Sequence, residues 1–257
     1  MSSLENIIPN LPQRTQKPRE EGITMVMDKG LGVWAAKDLA SSAGQYIDLL
    51  KLGFGTSVLT PEEVLKKKLE VYRSAGMEPY PGGTLWEAFY IRNALDKYEE
   101  FVEQWGFTTI EISDGTLHLS IDEKCKQIER FAKKYRVVTE VGYKDVETIG
   151  GAQEWIYRIK RELEAGAWKV ILEGRESGSI GIYDSAGKVK RELIDAIAAE
   201  VPLKNIIWET PKKPQQVWFI KHFGANVNLG NINPAEAIAV EALRLGLRGD
   251  TLTHFVK

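Results

Sequence analysis

The chain has 257 residues and a mass of 28.9 kDa, with 43% hydrophobic residues, 34 basic and 36 acidic side chains and a net charge of −2. That length suits one α/β barrel as well as two average domains. The charge balance excludes a broad basic field for nucleic acid, and no apolar run is long enough to cross a membrane.

Residues 1–21 are polar, carry three prolines and lack an apolar secretory core. They read as an N-terminal extension, not a signal. The first strand is Ile23-Thr24-Met25-Val26-Met27-Asp28, with a short helix following near 38–46. The second strand covers 47–52 and leads into Gly53-Phe54-Gly55. Thr60-Pro61-Glu62-Glu63 opens a helix, with Thr60 as N-cap and Pro61 in the first helical position. A third strand over 77–80 passes into Pro81-Gly82-Gly83-Thr84, and one helix is expected over 85–105. Four strands then each stop on an acid: Thr108-Thr109-Ile110-Glu111, Val137-Val138-Thr139-Glu140, Val170-Ile171-Leu172-Glu173 and Ile206-Ile207-Trp208-Glu209. They recur about every thirty residues, the length of one βα unit. Ser120-Ile121-Asp122-Glu123 is a capping box for the helix after the first of them. Further helices are expected over 153–165, over 188–199 and after Pro214. The eighth strand is Asn226-Val227-Asn228-Leu229, and Asn233-Pro234 opens the last helix.

Eight alternating units without a composition break predict an α/β fold, a single (βα)8 TIM barrel forming one domain over 1–257. No GxGxxG follows the first strand, which argues against a dinucleotide fold. The single cysteine, Cys125, sits in a charged helical stretch and is expected to be half-exposed. One unpaired cysteine fits a reducing, cytoplasmic setting. His118, His222 and His254 are scattered and carry no catalytic spacing.

Side chains alternate along a strand, so Thr109, Glu111 and Ser113 share one face and Ile110 and Ile112 the other. The same reasoning gathers Asp28, Lys51, Glu111, Glu140, Glu173, Glu209 and Asn228 in the barrel interior. Acids so close repel unless a cation lies among them, and oxygen donors suit Mg²⁺. Arg175, just past the sixth strand, suits a two-point grip on a carboxylate or phosphate. Asn228 with the following loop, and Arg248 near the end of the chain, are placed for phosphate beside the last strands.

These residues give the chain a resemblance to the phosphosulfolactate synthase family. The resemblance is carried by Lys51-Leu52-Gly53-Phe54-Gly55-Thr56, Tyr80-Pro81-Gly82-Gly83-Thr84, Glu111-Ile112-Ser113-Asp114-Gly115, Glu140-Val141-Gly142, Glu173-Gly174-Arg175-Glu176-Ser177-Gly178 and Gly246-Leu247-Arg248-Gly249-Asp250-Thr251. It implies a (βα)8 barrel that adds sulfite to phosphoenolpyruvate with Mg²⁺, a step of coenzyme M biosynthesis. It implies Glu111, Glu140 and Glu173 as metal or water-shell ligands. Arg175, Asn228, Arg248 and Asp28 are implied as substrate-binding residues. Lys144 and Lys51 are the candidates for a general acid whose pKa burial brings near working pH. Where the family has two basic residues after Gly142, this chain has Tyr143-Lys144. A homo-oligomer is expected, as barrels commonly associate. The rival expectations are a metal-dependent aldolase or isomerase on another phosphorylated acid, and a non-catalytic stress-associated protein like the plant relatives of the family.

Overall fold

Apolar stretches and their intervening helical patterns become alternating strands and helices in the computed structural model, which describes residues 6–143 and 150–256. The strands are β1 (Thr24–Asp28), β2 (Leu49–Leu52), β3 (Glu78–Pro81), β4 (Thr109–Ile112), β5 (Arg136–Val141), β6 (Lys169–Leu172), β7 (Ile206–Glu209) and β8 (Leu229–Ile232). All pair in parallel, in the order β3-β2-β1-β8-β7-β6-β5-β4. β3 and β4 meet at a seam, where Thr108 Oγ1 donates to Glu78 and Gly83 N donates to Glu111 Oε1 at 2.9 Å. The sheet is thus nearly closed into the expected (βα)8 barrel.

The helices are α1 (Val33–Ala43), α2 (Thr56–Leu59), α3 (Glu62–Ser74), α4 (Gly83–Tyr90), α5 (Leu95–Gln104), α6 (Ile121–Ala132), α7 (Ala152–Glu164), α8 (Arg191–Glu200), α9 (Lys213–Phe223), α10 (Ala237–Arg244) and α11 (Leu252–Phe255). The helix expected over 85–105 is two helices, because the chain leaves helical geometry at Asn93, with φ +51°. Thr60 does not cap α3. Its Oγ1 donates back to Thr56 O, and Pro61 stands at the N-cap. Ser120 does cap α6, accepting from Glu123 N at 3.2 Å. Cys125 is buried, not half-exposed, because α6 turns it toward Arg161 O on α7. Among the described residues no helix is long and apolar enough to cross a membrane.

Period two sorts each strand into two layers. Val26, Leu50, Ile110, Ile112, Val170 and Leu172 face the helices and join the large outer core. Ile23, Met25, Leu49, Tyr80, Val138, Ile171 and Ile207 form a separate apolar plug inside the barrel. Such filling makes the barrel a packed core, and the ends of its strands carry the open cavities.

Residues 11–22 cross the amino mouth and are tied to it. Arg14 Nε pairs with Glu241 at 2.8 Å, Arg19 Nε pairs with Asp48 at 2.9 Å, and Glu20 Oε2 accepts from Trp168 Nε1 at 2.9 Å. Beneath them the buried Arg244 donates to Ala225 O at 2.7 Å, Val227 O at 2.6 Å and Ile23 O at 3.2 Å. Backbone carbonyls buried without a donor are costly. The Arg244→Met variant should therefore lose about 3 kcal/mol of unfolding free energy, read from urea denaturation. A loss under about 1 kcal/mol would show that these carbonyls find other donors.

Candidate active site

A cavity of ≈ 590 Å³ opens at the carboxyl mouth. Its wall takes Met27 from β1, Lys51 from β2, Gly82 and Gly83 from the start of α4, Glu140 from β5, Glu209 from β7 and Asn231 from β8. Glu173, Arg175 and Ser177 come from the segment after β6.

Lys51 is the hub of this wall. Its Nζ lies 2.9 Å from Glu111 Oε1, 3.3 Å from Glu140 Oε2 and 3.7 Å from Glu209 Oε1. Burial pulls the lysine pKa down, but the three carboxylates outweigh it and hold the pKa well above the usual 10.5. Burial is thus not the only influence on Lys51, whose ammonium is held by three ion pairs. Burial pushes Glu111 and Glu209 upward, against the pull of Lys51.

Glu140, Glu173 and Glu209 each offer one oxygen, and these oxygens lie within 4.8 Å of one another. All three residues are buried. The trio differs from the expected Glu111, Glu140 and Glu173. Glu111 turns instead to Lys51 and to the backbone N–H of Gly83. Gly83 must be glycine for this, since a Cβ there would stand 2.4 Å from Ser113 Oγ and 2.9 Å from Glu111 Oε1. Glu209 is fixed by Gly174 N, which donates to its Oε2 at 3.0 Å. Glu173 accepts from Arg175 N at 2.5 Å. The donors are all hard oxygens, a set that fits Mg²⁺.

The other expected residues divide. Arg175 lines the cavity from an exposed position with φ +58°. Asp28 does not face the interior. β1 points Met25 and Met27 inward, and Asp28 turns out to Lys68 Nζ at 2.7 Å and Tyr72 Oη at 2.9 Å. Asn228 is also misplaced by the sequence reading, because β8 starts at Leu229 and not Asn226. Asn228 lies before the strand, at the amino mouth, where it accepts from Ile23 N and donates to Ile206 O, each at 2.9 Å. Arg248 does not line the cavity; it lies in the turn after α10, where its carbonyl accepts from Thr251 N. Lys144 lies outside the described residues. Phe54, Gly82 and Asn231 line the cavity; Phe54 and Gly82 lie in segments that carry the family resemblance, and Asn231 lies in the stretch after Asn228 that was expected to serve phosphate.

Removing the Lys51 charge should expose the cost of the acids. In Lys51→Met the carboxylates lose their cation, so their folded pKa values rise further above the unfolded ones. The folded state then binds more protons than the unfolded state, and stability falls as pH rises. Urea titrations in EDTA should show a loss of about 3–5 kcal/mol at pH 8 that shrinks toward pH 5. Equal losses at both pH values would contradict the electrostatic account.

Comparison with known proteins places this site in a family. The model of the (2R)-phospho-3-sulfolactate synthase family matches residues 12–250. A phosphosulfolactate synthase of Methanothermobacter thermautotrophicus is 43% identical over 245 residues, covering 94% of this chain and 95% of that protein. A phosphosulfolactate synthase of Bacillus subtilis is 40% identical, covering 94% and 96%. In fold alone the chain is similar to a crystal structure of 3-hexulose-6-phosphate synthase, with a TM-score of 0.54 at 15% identity over 86% of this chain and 99% of that one. With the family model and these relatives spanning nearly the whole barrel, the chain belongs to the phosphosulfolactate synthase family and is an enzyme of that type.

Proposed function

We propose that the cavity adds sulfite to phosphoenolpyruvate, giving (2R)-phospho-3-sulfolactate, with Mg²⁺ held by Glu140, Glu173 and Glu209. The observation that carries this reading is the buried carboxylate trio beside a locked lysine, in a chain of this family. The sulfur lone pair of sulfite attacks the methylene carbon, C3, and a C–S bond forms. The π pair of the double bond moves to C2 and into the carboxylate. C2 then takes a proton, and the phosphate ester stays intact. A bound Mg²⁺ supplies Lewis-acid stabilisation of the charge on the substrate carboxylate. Lys51 adds a fixed positive charge at the cavity floor, where its ammonium needs no reorganisation. The two lysines the resemblance implied, Lys51 and Lys144, are the candidates to protonate C2. Arg175 at the rim binds the phosphate.

The test is purified protein with phosphoenolpyruvate and sulfite, followed by phosphorus NMR and sulfite titration. Sulfite and phosphoenolpyruvate should disappear one for one with Mg²⁺ and remain unchanged with EDTA. Absence of any sulfite loss would end this reading and favour an aldolase or isomerase acting on another phosphorylated acid. Glu140→Gln, Glu173→Gln and Glu209→Gln should each weaken Mn²⁺ binding about tenfold or more by electron paramagnetic resonance, and Glu111→Gln far less. Equal losses in all four variants would disprove the proposed ligand trio.

A further inference from the structure

Asn231 stands in the cavity wall with a left-handed backbone. It lies in β8, one residue past Gly230, which pairs with Glu209 of β7. Because β8 stands between β1 and β7, Asn231 enters the cavity wall between Met27 and Glu209. Its backbone is left-handed, with φ +53°. The residue is 8% exposed, and its Oδ1 is buried without a hydrogen-bond partner. An asparagine in this conformation ordinarily bonds its own turn. Here Oδ1 finds no such partner among the described residues. A buried polar group left unsatisfied destabilises the fold, so its presence calls for a partner from outside the chain.

The chemistry of the ligand decides which edge of the amide meets it. A phosphosulfolactate carries phosphate, sulfonate and carboxylate groups, whose oxygens are all acceptors. The edge that meets it is therefore the amino edge, which a half-turn of the carboxamide exchanges with Oδ1. We propose that Asn231 is a substrate-binding residue, donating from Nδ2 to an oxyanion of the phosphorylated substrate. The assignment rests on the reaction proposed above. It adds a neutral donor beside the charged groups of the wall, Lys51, Arg175 and the acids. A neutral donor grips an oxyanion next to Glu209 without competing for the carboxylates that hold a cation.

The test uses two variants that keep the left-handed backbone. Asn231→Gly removes the amide at a position glycine adopts without steric cost, so its melting temperature should not fall. Asn231→Asp keeps the shape and reverses the interaction. With saturating sulfite, KM for phosphoenolpyruvate should rise about tenfold or more in Asn231→Gly and further in Asn231→Asp. KM for sulfite and Mn²⁺ affinity should stay at wild-type values. Inorganic phosphate and pyruvate serve as separate inhibitors, and the one that weakens in Asn231→Gly identifies the oxyanion held. An unchanged KM for phosphoenolpyruvate, no weakening of either inhibitor, or a loss of Mn²⁺ affinity with substrate binding intact would overturn the assignment. Calorimetric binding of phosphoenolpyruvate to wild type and Asn231→Gly reads the contact without turnover. If wild type consumed no sulfite, the reaction would fail while this comparison still decided Asn231.

Discussion

The structure depends on one ammonium ion buried among carboxylates. Two like charges 4.8 Å apart repel by about 3–4 kcal/mol at an effective dielectric near 20. Several such pairs would exceed what a marginally stable chain tolerates. Lys51 removes part of that cost by standing between Glu111, Glu140 and Glu209. Glu173 completes the acidic wall on the side where Glu140 and Glu209 converge. The arrangement divides the acids by task. Glu111 belongs to the lysine and to α4, while the other three remain grouped around a space of cation size.

What holds those acids in place is mostly backbone. Gly83 N fixes Glu111, Gly174 N fixes Glu209, and Arg175 N fixes Glu173. These donors lie in the segments immediately after β3 and β6, so the same turns that build the cavity wall also aim its carboxylates. A second buried lysine supports β5 from outside the barrel. Lys124 donates to Glu140 O at 2.6 Å and pairs with Asp114 at 2.8 Å and Glu162 at 2.7 Å. Its pKa is driven up by those acids against the effect of burial. The carboxyl end of β5 is thus clamped on both faces by opposite charge. That rigidity is what preorganised electrostatic stabilisation requires, since a site that relaxes around charge gives no advantage over water.

The barrel and its acidic mouth were legible in the sequence because an acid closing an apolar strand is a strong local contrast. Glu111, Glu140, Glu173 and Glu209 all lie where period two put them. Asp28 misled because β1 is apolar on both faces: Met25 and Met27 inside and Val26 outside give no contrast from which to read parity. Asn228 misled because Asn226-Val227-Asn228-Leu229 alternates like a strand while Gly230 looks like a turn. Gly230 is in the strand because a Cβ there would meet Met25 Cε at 2.5 Å and Ile207 Cγ2 at 2.9 Å. The interior has no room for a side chain at that level, a fact set by two other strands and invisible in the local pattern. The choice of Glu209 over Glu111 for the trio was likewise hidden, since it turns on which acid Lys51 and Gly83 claim.

Three non-glycine residues of the cavity wall, Phe54, Arg175 and Asn231, have φ between +53° and +58°. A left-handed backbone costs an ordinary side chain about 1–3 kcal/mol, and least for asparagine. The strain follows β2, β6 and β8, each at its carboxyl end, where neighbouring strands fix the direction in which the chain must leave. In Arg175 this geometry serves two ends. It turns the backbone N–H down onto Glu173 and leaves the guanidinium side chain at the exposed rim. Through this one residue the acid at the cavity floor is joined to the positive charge at its edge.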